Sequence, residues 1–409
     1  MAVTRTIPIV PARSGSHAAP SGSTNIQLAA LPPLSLYVHI PWCVRKCPYC
    51  DFNSHEAKDD IPEDAYVEAL TRDLEQALPQ IWGRKIYTIF FGGGTPSLLS
   101  PKALDTLLAN VRARLPLEPT AEITLEANPG TFEAAKFEAF RASGVNRLSI
   151  GIQSFNAKHL QALGRIHNDE EAHRAIEIAH RYFDNFNLDL MYALPDQTME
   201  EAMRDMQTAI DARSTHISAY QLTLEPNTLF HRYPPQLPGD DTAEEMQTNI
   251  EALLADAGYE NYETSAFAQP GQRSRHNMNY WQFGDYLGIG AGAASKISFP
   301  DRIVRSLRHK QPKAYMDGVD KGKHILEENT VTLQDLPFEF MMNALRLTDG
   351  FPLHLFSERT GLSINTVQKE IEQAKQQGLI ERNHEMMRPT ARGKRFLNDL
   401  LQIFLPEEK

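Results

Sequence analysis

Beyond Cys43, Cys47 and Cys50 the 409-residue sequence contains no cysteine. An odd count cannot pair fully and a chain this long needs no staple, so a disulfide framework is excluded. A zinc site built from two paired Cys-x2-4-Cys half-sites is excluded as well, because no second half-site exists. Long apolar runs are also missing. None approaches the roughly 20 residues a membrane span requires, and residues 1–30 lack the apolar core of a secretory signal. Together these absences predict a cytoplasmic chain without a membrane span. Basic residues are in deficit, 41 Lys plus Arg against 52 Asp plus Glu, and the net charge of −11 argues against a general nucleic-acid binder. Acidic residues are absent at the start, where none precedes Asp51. That stretch is rich in Ala, Ser, Pro and Gly, which predicts a disordered tail over 1–33. A mitochondrial transit peptide is the alternative, opposed by only two basic residues, Arg5 and Arg13, and by helix-breaking Pro8, Pro11 and Pro20.

What is present is concentrated. All three thiols fall within the run YVHIPWCVRKCPYCDF. At Cys-x3-Cys-x2-Cys spacing, three thiolates can reach three corners of a cubane [4Fe-4S] cluster and leave the fourth iron without a protein ligand. A closed zinc site stays open as an alternative only if His39 or His55 completes it.

From residue 34 short β-branched or aromatic runs alternate with longer helical patterns, the signature of parallel βα units. Six strands are predicted: 34–40, 86–91, 122–127, 147–152, 187–192 and 216–223. Helices are predicted between them, including 62–78 with Pro62 at its start and 101–112 entered through Ser100 as N-cap. Six units suit an α/β fold with an open (βα)6 partial TIM-type barrel. Sites on such barrels collect at the carboxyl ends of strands, and each predicted end carries an unusual feature. The cysteine loop follows the first strand and Gly92, Gly93, Gly94 and Thr95 follow the second. Glu126 closes the third, Gln153 follows the fourth, Asp189 lies in the fifth, and Tyr220 and Gln221 lie in the sixth. Bare glycine backbone can approach a ligand closely, although a Gly triplet also suits a tight turn. Glu126 can accept two hydroxyl hydrogen bonds, as from a ribose diol. Arg165 can pair bidentately with a carboxylate or stand as a surface cation, and Asp189 can bind a ligand or cap a helix.

The segment from Tyr37 to Cys50 resembles the radical S-adenosylmethionine (SAM) superfamily signature. More narrowly, Tyr-x-His-Ile-Pro-x-Cys is similar to the branch that holds the oxygen-independent coproporphyrinogen III oxidases and their heme-chaperone relatives. The resemblance covers about residues 34–400. It implies a cluster on Cys43, Cys47 and Cys50, with SAM chelating the open iron and an electron donor able to reduce the cluster for cleavage of the sulfonium. The resemblance assigns Gly92–Thr95 to the methionine amino group and sets Glu126, Gln153, Arg165 and Asp189 around SAM. Tyr37 and Tyr49 would flank cluster or adenine, or simply pack.

Within that branch, the resembling oxidases carry a fourth cysteine two residues after the third, where this chain has Phe52. CPYCDFNSH and HNMNYW (His276–Trp281) instead resemble the heme chaperones, which implies heme as a further ligand, an acceptor apoprotein, and peripheral contact if that acceptor is membrane-bound. By itself a lone histidine is more often structural. Yet His276 could ligate heme iron axially, with Arg273 and Arg275 near propionates and Tyr280 and Trp281 against the porphyrin. The expected function is thus a heme chaperone. Its alternatives are coproporphyrinogen oxidase, which leaves enzyme activity open, and a redox-sensing winged-helix regulator. The run 284–295 is expected to be a close-packed turn, since it lacks a Walker lysine.

The remaining organisation is expected as a core over 34–265, a connecting region with the heme motif over 266–330, and a mostly helical, winged-helix-like domain over 331–409. Residues 228–330 are expected to close the barrel's open side. Eight basic against six acidic residues over 351–399 are too balanced for a DNA-binding face, so a lid or docking role is expected and nucleic acid is not.

Overall fold

The computed structural model describes residues 26–57 and 60–406, so residues 1–25 of the tail expected over 1–33 lie outside the described residues. Six parallel strands stand side by side in chain order: β1 (Leu34–Ile40), β2 (Ile86–Gly93), β3 (Leu117–Ala127), β4 (Arg147–Gln153), β5 (Phe186–Tyr192) and β6 (His216–Gln221). Between them run α1 (Glu63–Ala77), α2 (Pro101–Arg114), α3 (Ala134–Ser143), α4 (Asp169–Tyr182) and α5 (Met199–Asp211). Ser100 starts α2 as the sequence predicts, and α4 and α5 carry further local signals. Ser100 caps α2 by accepting the Ala103 amide, and Asn168 and Thr198 form capping boxes with Glu171 and Glu201.

Alternation along the strands separates two chemistries. One set of positions, including Leu36, Val38, Ile123, Leu125, Leu148, Ile150, Leu188 and Leu190, is buried in the main core with the helices. Each such side chain contributes about 1.5–3 kcal/mol by leaving water. The intervening positions are polar: Ser35, Tyr37 and His39 on β1, Glu122, Thr124 and Glu126 on β3, Arg147 and Ser149 on β4, Asn187 and Asp189 on β5. An eight-stranded barrel normally fills its interior with branched apolar side chains; here the concave face is polar.

The sheet has twelve strands and does not close. Beyond β6 lies a hairpin of β7 (Glu260–Glu263) and β8 (Ala266–Ala268). Beyond β1 lie β9 (Asp285–Ile289), parallel to β1, then antiparallel β10 (Ala294–Ser298), β11 (Ile303–Arg308) and β12 (Ile325–Thr330). Residues 228–330 therefore extend both edges of the sheet instead of bridging the open side. The glycine-rich run 284–295 makes β9 and the turn into β10. A Cβ on Gly288 would fall 2.1 Å from the Ala294 carbonyl oxygen, so only glycine permits this approach.

The C-terminal region has its own core, with Phe340, Phe356, Ile371 and Met387 fully buried under helices Leu336–Ala344, Leu353–Thr360 and Gln368–Gln376 and a three-stranded sheet. Ile26 and Leu28 are buried in this same core. Of the tail expected over 1–33, Ile26 and Leu28 are thus packed, because these two side chains find a hydrophobic surface that the sequence context does not reveal. Near the C-terminus two short helices, Ala391–Arg395 and Leu397–Gln402, are separated at Phe396.

Candidate cofactor site

At the carboxyl ends of the strands a cavity of about 380 Å³ gathers residues singled out from sequence on all six strand ends: Cys43, Cys47, Cys50 and Tyr49, Gly93, Gly94 and Thr95, Glu126, Gln153, Arg165 and Asp189, and Tyr220 and Gln221. The volume is on the scale of one small-molecule ligand. Tyr37, Gly92 and His276 are not in its wall.

The cysteine loop leaves β1 and is closed at its base by a two-residue parallel pairing of Trp42–Cys43 with His55–Glu56. Within it the Cys50 amide donates to the Cys47 carbonyl at 3.2 Å, and Lys46 Nζ donates to the Phe52 carbonyl at 3.1 Å. Each thiol has a polar neighbour: Thr95 Oγ1 donates to Cys43 Sγ at 3.5 Å, Arg165 Nη1 to Cys47 Sγ at 3.7 Å, and Ser54 Oγ lies 4.0 Å from Cys50 Sγ. Burial pushes the Cys43 and Cys50 thiols up, and the neighbouring hydroxyls act against it. Among the described residues no three His, Cys, Asp or Glu side chains are arranged to hold a single metal ion. His39 is engaged elsewhere, with Nε2 donating to the Asn53 carbonyl at 2.8 Å, and His55 Nε2 donates to the Lys310 carbonyl at 3.2 Å. The zinc alternative therefore has no assembled fourth ligand, whereas three thiols spread around one cavity fit a multi-iron cluster.

Beside the thiols, β2 runs out into its glycines. Gly93 has φ +110° and a Cβ there would meet the His39 ring at 2.4 Å. The Gly94 and Thr95 amides donate to the Ile40 and Trp42 carbonyls at 2.8 and 2.7 Å, fastening this loop to the start of the cysteine loop. The Gly93 amide donates to Glu126 Oε2 at 3.1 Å. Burial and the nearby Asp189 carboxylate push Glu126 up to about 8, although that amide works against them. Burial also raises Asp189, against hydrogen bonds from Ser149 Oγ at 2.9 Å and Asn187 Nδ2 at 2.8 Å. Gln153 sits at φ +68°, an uncommon conformation for a side-chain-bearing residue, at a β-bulge between β4 and β5. Arg165 spends Nη2 on the Gly151 carbonyl at 2.8 Å, while its buried Nε has no partner. Leaving such a donor unpaired costs about 1–3 kcal/mol, which a ligand carboxylate would recover. Tyr49 lines the cavity and packs against Phe230.

Tyr37 and His276 take the packing alternatives that the sequence left open beside a ligand role. Tyr37 lies behind Gly92, its ring stacked on Phe90 and its hydroxyl donating to His39 Nδ1 at 3.0 Å, so it supports the cysteine loop from below. His276 is at the opposite end of the strands. It sits on α6 (Arg275–Trp281) and is 1% exposed. Its Nδ1 is 2.7 Å from Thr88 Oγ1, its Nε2 is 3.2 Å from the Tyr280 hydroxyl, and its amide donates to Glu122 at 3.0 Å. With both ring nitrogens engaged and no exposure, this imidazole plugs the amino end of the barrel and offers no edge to heme iron. Residues missed from sequence are Ser149, Gly151 and Met191 in the cavity wall and Asn53 behind the loop. Ser149, Gly151 and Met191 follow from the two-residue period of β4 and β5; Asn53 has no such signal.

The chain matches the Radical SAM superfamily over residues 37–209 and the HemN C-terminal domain over residues 331–396. It is 50% identical over 382 residues to the heme chaperone HemW of Escherichia coli, covering 93% of this chain and 100% of that one. The chain belongs to the HemW family. Haemophilus influenzae HemW is likewise 50% identical, over 92% of this chain and 99% of its own. A bovine relative, the mitochondrial radical S-adenosyl methionine domain-containing protein 1, is 35% identical over 91% of this chain and 87% of its own. Among solved structures, E. coli coproporphyrinogen III oxidase (HemN), a radical SAM enzyme, superposes with a TM-score of 0.79 at 23% identity, covering 91% of this chain and 90% of its own, and so shares the fold. The open partial barrel is thereby the HemN-like radical SAM fold.

Proposed function

We propose that this chain is a heme chaperone that holds a [4Fe-4S] cluster on Cys43, Cys47 and Cys50, binds SAM in the adjoining cavity, and passes heme to an acceptor protein. The observation that carries the cofactor part is the meeting of three thiols with Arg165, Glu126 and the Gly93–Gly94 backbone in one cavity. Arg165 takes the methionine carboxylate with the nitrogen that lacks a partner. Gly93, Gly94 and Thr95 receive the amino group, Glu126 accepts from the ribose hydroxyls, and Gln153 and Asp189 complete the wall. When bound, cluster and SAM supply one-electron reduction of a sulfonium, and an electron donor is required for it. The heme part rests on whole-length similarity to the HemW proteins. His276 is not proposed as the heme ligand, for the reasons of burial and pairing given above. Among the described residues no helix is long and apolar enough to cross a membrane; a cytoplasmic place is proposed from the cluster chemistry.

The shared fold with HemN keeps coproporphyrinogen oxidation as the second reading. Phe52, 60% exposed where the resembling oxidases carry a cysteine, weighs against it. The deciding experiment is anaerobic reconstitution with iron and sulfide, followed by heme titration and, in parallel, coproporphyrinogen III with SAM and reductant. Heme uptake without substrate consumption supports the chaperone; turnover to protoporphyrinogen IX would replace it with the oxidase.

A further inference from the structure

The strands beyond β1 reach the cysteine loop at two side chains, His55 on the Lys310 carbonyl and Asn53, which holds two carbonyls at once. Asn53, three residues after Cys50, donates from Nδ2 to the carbonyl oxygens of Ala291 and Lys310, both at 2.9 Å. Ala291 lies in the β9–β10 turn and Lys310 follows β11. On its other side the Asn53 carbonyl accepts from His39 Nε2, so the loop is held between β1 and the accessory strands.

The turn it grips is itself fixed. The Ala291 amide donates to the Tyr66 hydroxyl at 2.9 Å, and that hydroxyl donates to the His39 carbonyl at 2.8 Å. The Gly290 amide donates to Asp73 at 3.2 Å. Asp73 also takes Arg308 at 2.7 and 2.8 Å and the Tyr315 hydroxyl at 2.7 Å, and lies 3.1 Å from His324 Nε2. Against the cost of its burial, Arg308 and His324 hold this carboxylate well below its usual range. Breaking such a buried pair costs about 3–5 kcal/mol, so the turn is anchored firmly to α1 and β11. The fit leaves no slack: a Cβ on Gly292, at φ +83°, would fall 2.3 Å from Asn53 Nδ2, and one on Gly290 would fall 2.5 Å from the His39 carbonyl oxygen.

We propose that Asn53 is a positioning residue for the cluster, through which the accessory strands 285–330 set the spacing of the three thiolates. This rests on the reading that Cys43, Cys47 and Cys50 hold the cluster. It gives the glycine-rich run 284–295 a purpose: its bare backbone makes the surface on which the cysteine loop is seated.

The test compares Asn53→Asp, Asn53→Ala and Gly292→Ala with Gly322→Ala, a glycine at φ +62° whose added Cβ would meet nothing closer than 3.9 Å. Asn53→Asp keeps shape but replaces both donors with an oxygen facing two carbonyls. Measured are iron and sulfide per chain, the change SAM causes in the electron paramagnetic resonance spectrum of the reduced protein, the SAM dissociation constant, and the melting temperature. Losing two hydrogen bonds predicts SAM affinity about tenfold weaker and faster loss of the cluster in air for Asn53→Asp and Asn53→Ala, with Gly292→Ala showing the same pattern. Gly322→Ala should keep wild-type cluster and SAM readouts. A folded Asn53→Asp or Asn53→Ala protein with wild-type cluster content, spectrum and SAM affinity overturns the proposal. If the wild type takes up no cluster at all, it is the assignment of the cysteines that fails.

Discussion

Two glutamates on β3 mark the two ends of the partial barrel. Glu122 and Glu126 are four residues apart, about 13 Å along a strand, and both point to the concave side. At the amino end, Glu122 accepts the backbone amides of Arg275 and His276, both at 3.0 Å, and so caps the helix that plugs the barrel. At the carboxyl end, Glu126 accepts a single amide, from Gly93, and faces an open cavity beside a second carboxylate. Identical side chains thus do opposite work: one is consumed by the fold, the other is left short of partners for a ligand to satisfy. His276 and Arg165 repeat the contrast, the imidazole with both nitrogens engaged and the guanidinium with a buried nitrogen unpaired.

The widest split between the ends is expected for Cys47→Ala against His276→Ala. Removing the thiol should abolish cluster uptake, read as iron and sulfide per chain, with little change in melting temperature. Removing the imidazole should leave cluster and heme uptake intact and lower stability by about 2–3 kcal/mol, read by thermal or denaturant unfolding. A stable His276→Ala protein that no longer binds heme would break the comparison and return that residue to the heme site.

Glu122→Gln and Glu126→Gln sharpen it on one strand. The first turns an amide group toward two backbone donors and should cost about 1–3 kcal/mol in unfolding free energy. The second should cost little stability while weakening SAM binding measured by calorimetry.

A smaller effect is one of pH. Glu126 holds its proton more tightly folded, at about 8, than at its ordinary value of 4.5. Its contribution to stability is therefore full below about pH 4.5 and is lost as pH rises to about 8. In the SAM-free protein Glu126→Gln should flatten that decline, and SAM affinity should rise toward pH 8 in the wild type more than in the variant. Equal pH profiles would show that Glu126 does not titrate in this range. The smallest change is expected for Thr95→Val, a slight lowering of the cluster's reduction potential on losing one weak donor to Cys43, read by redox titration.

The six parallel strands and the rim were legible because period-two alternation survives in sequence: Leu36, Val38 and Ile40 face one way, Ser35, Tyr37 and His39 the other. The same period separates Glu126 and Asp189 from their apolar neighbours. The hairpin at 260–268 has no such signal, since its two-residue turn, Thr264–Ser265, carries no glycine or proline. The extension of both sheet edges was hidden for another reason: which strand lies beside β1 is decided over some 250 residues of separation, by β9 pairing in parallel with it.

By itself the sequence determined the chemistry available: three thiols within eight residues, a glycine run after the second strand, and polar groups at successive strand ends. Spacing and alternation are local, so they can be read without the fold. The tertiary structure alone decided which polar groups remain free. His276 became a plug, Tyr37 a support and Asn53 a tether, because hydrogen-bond partners supplied by distant strands and helices, not residue type, determine whether a buried donor or acceptor has capacity left for a ligand.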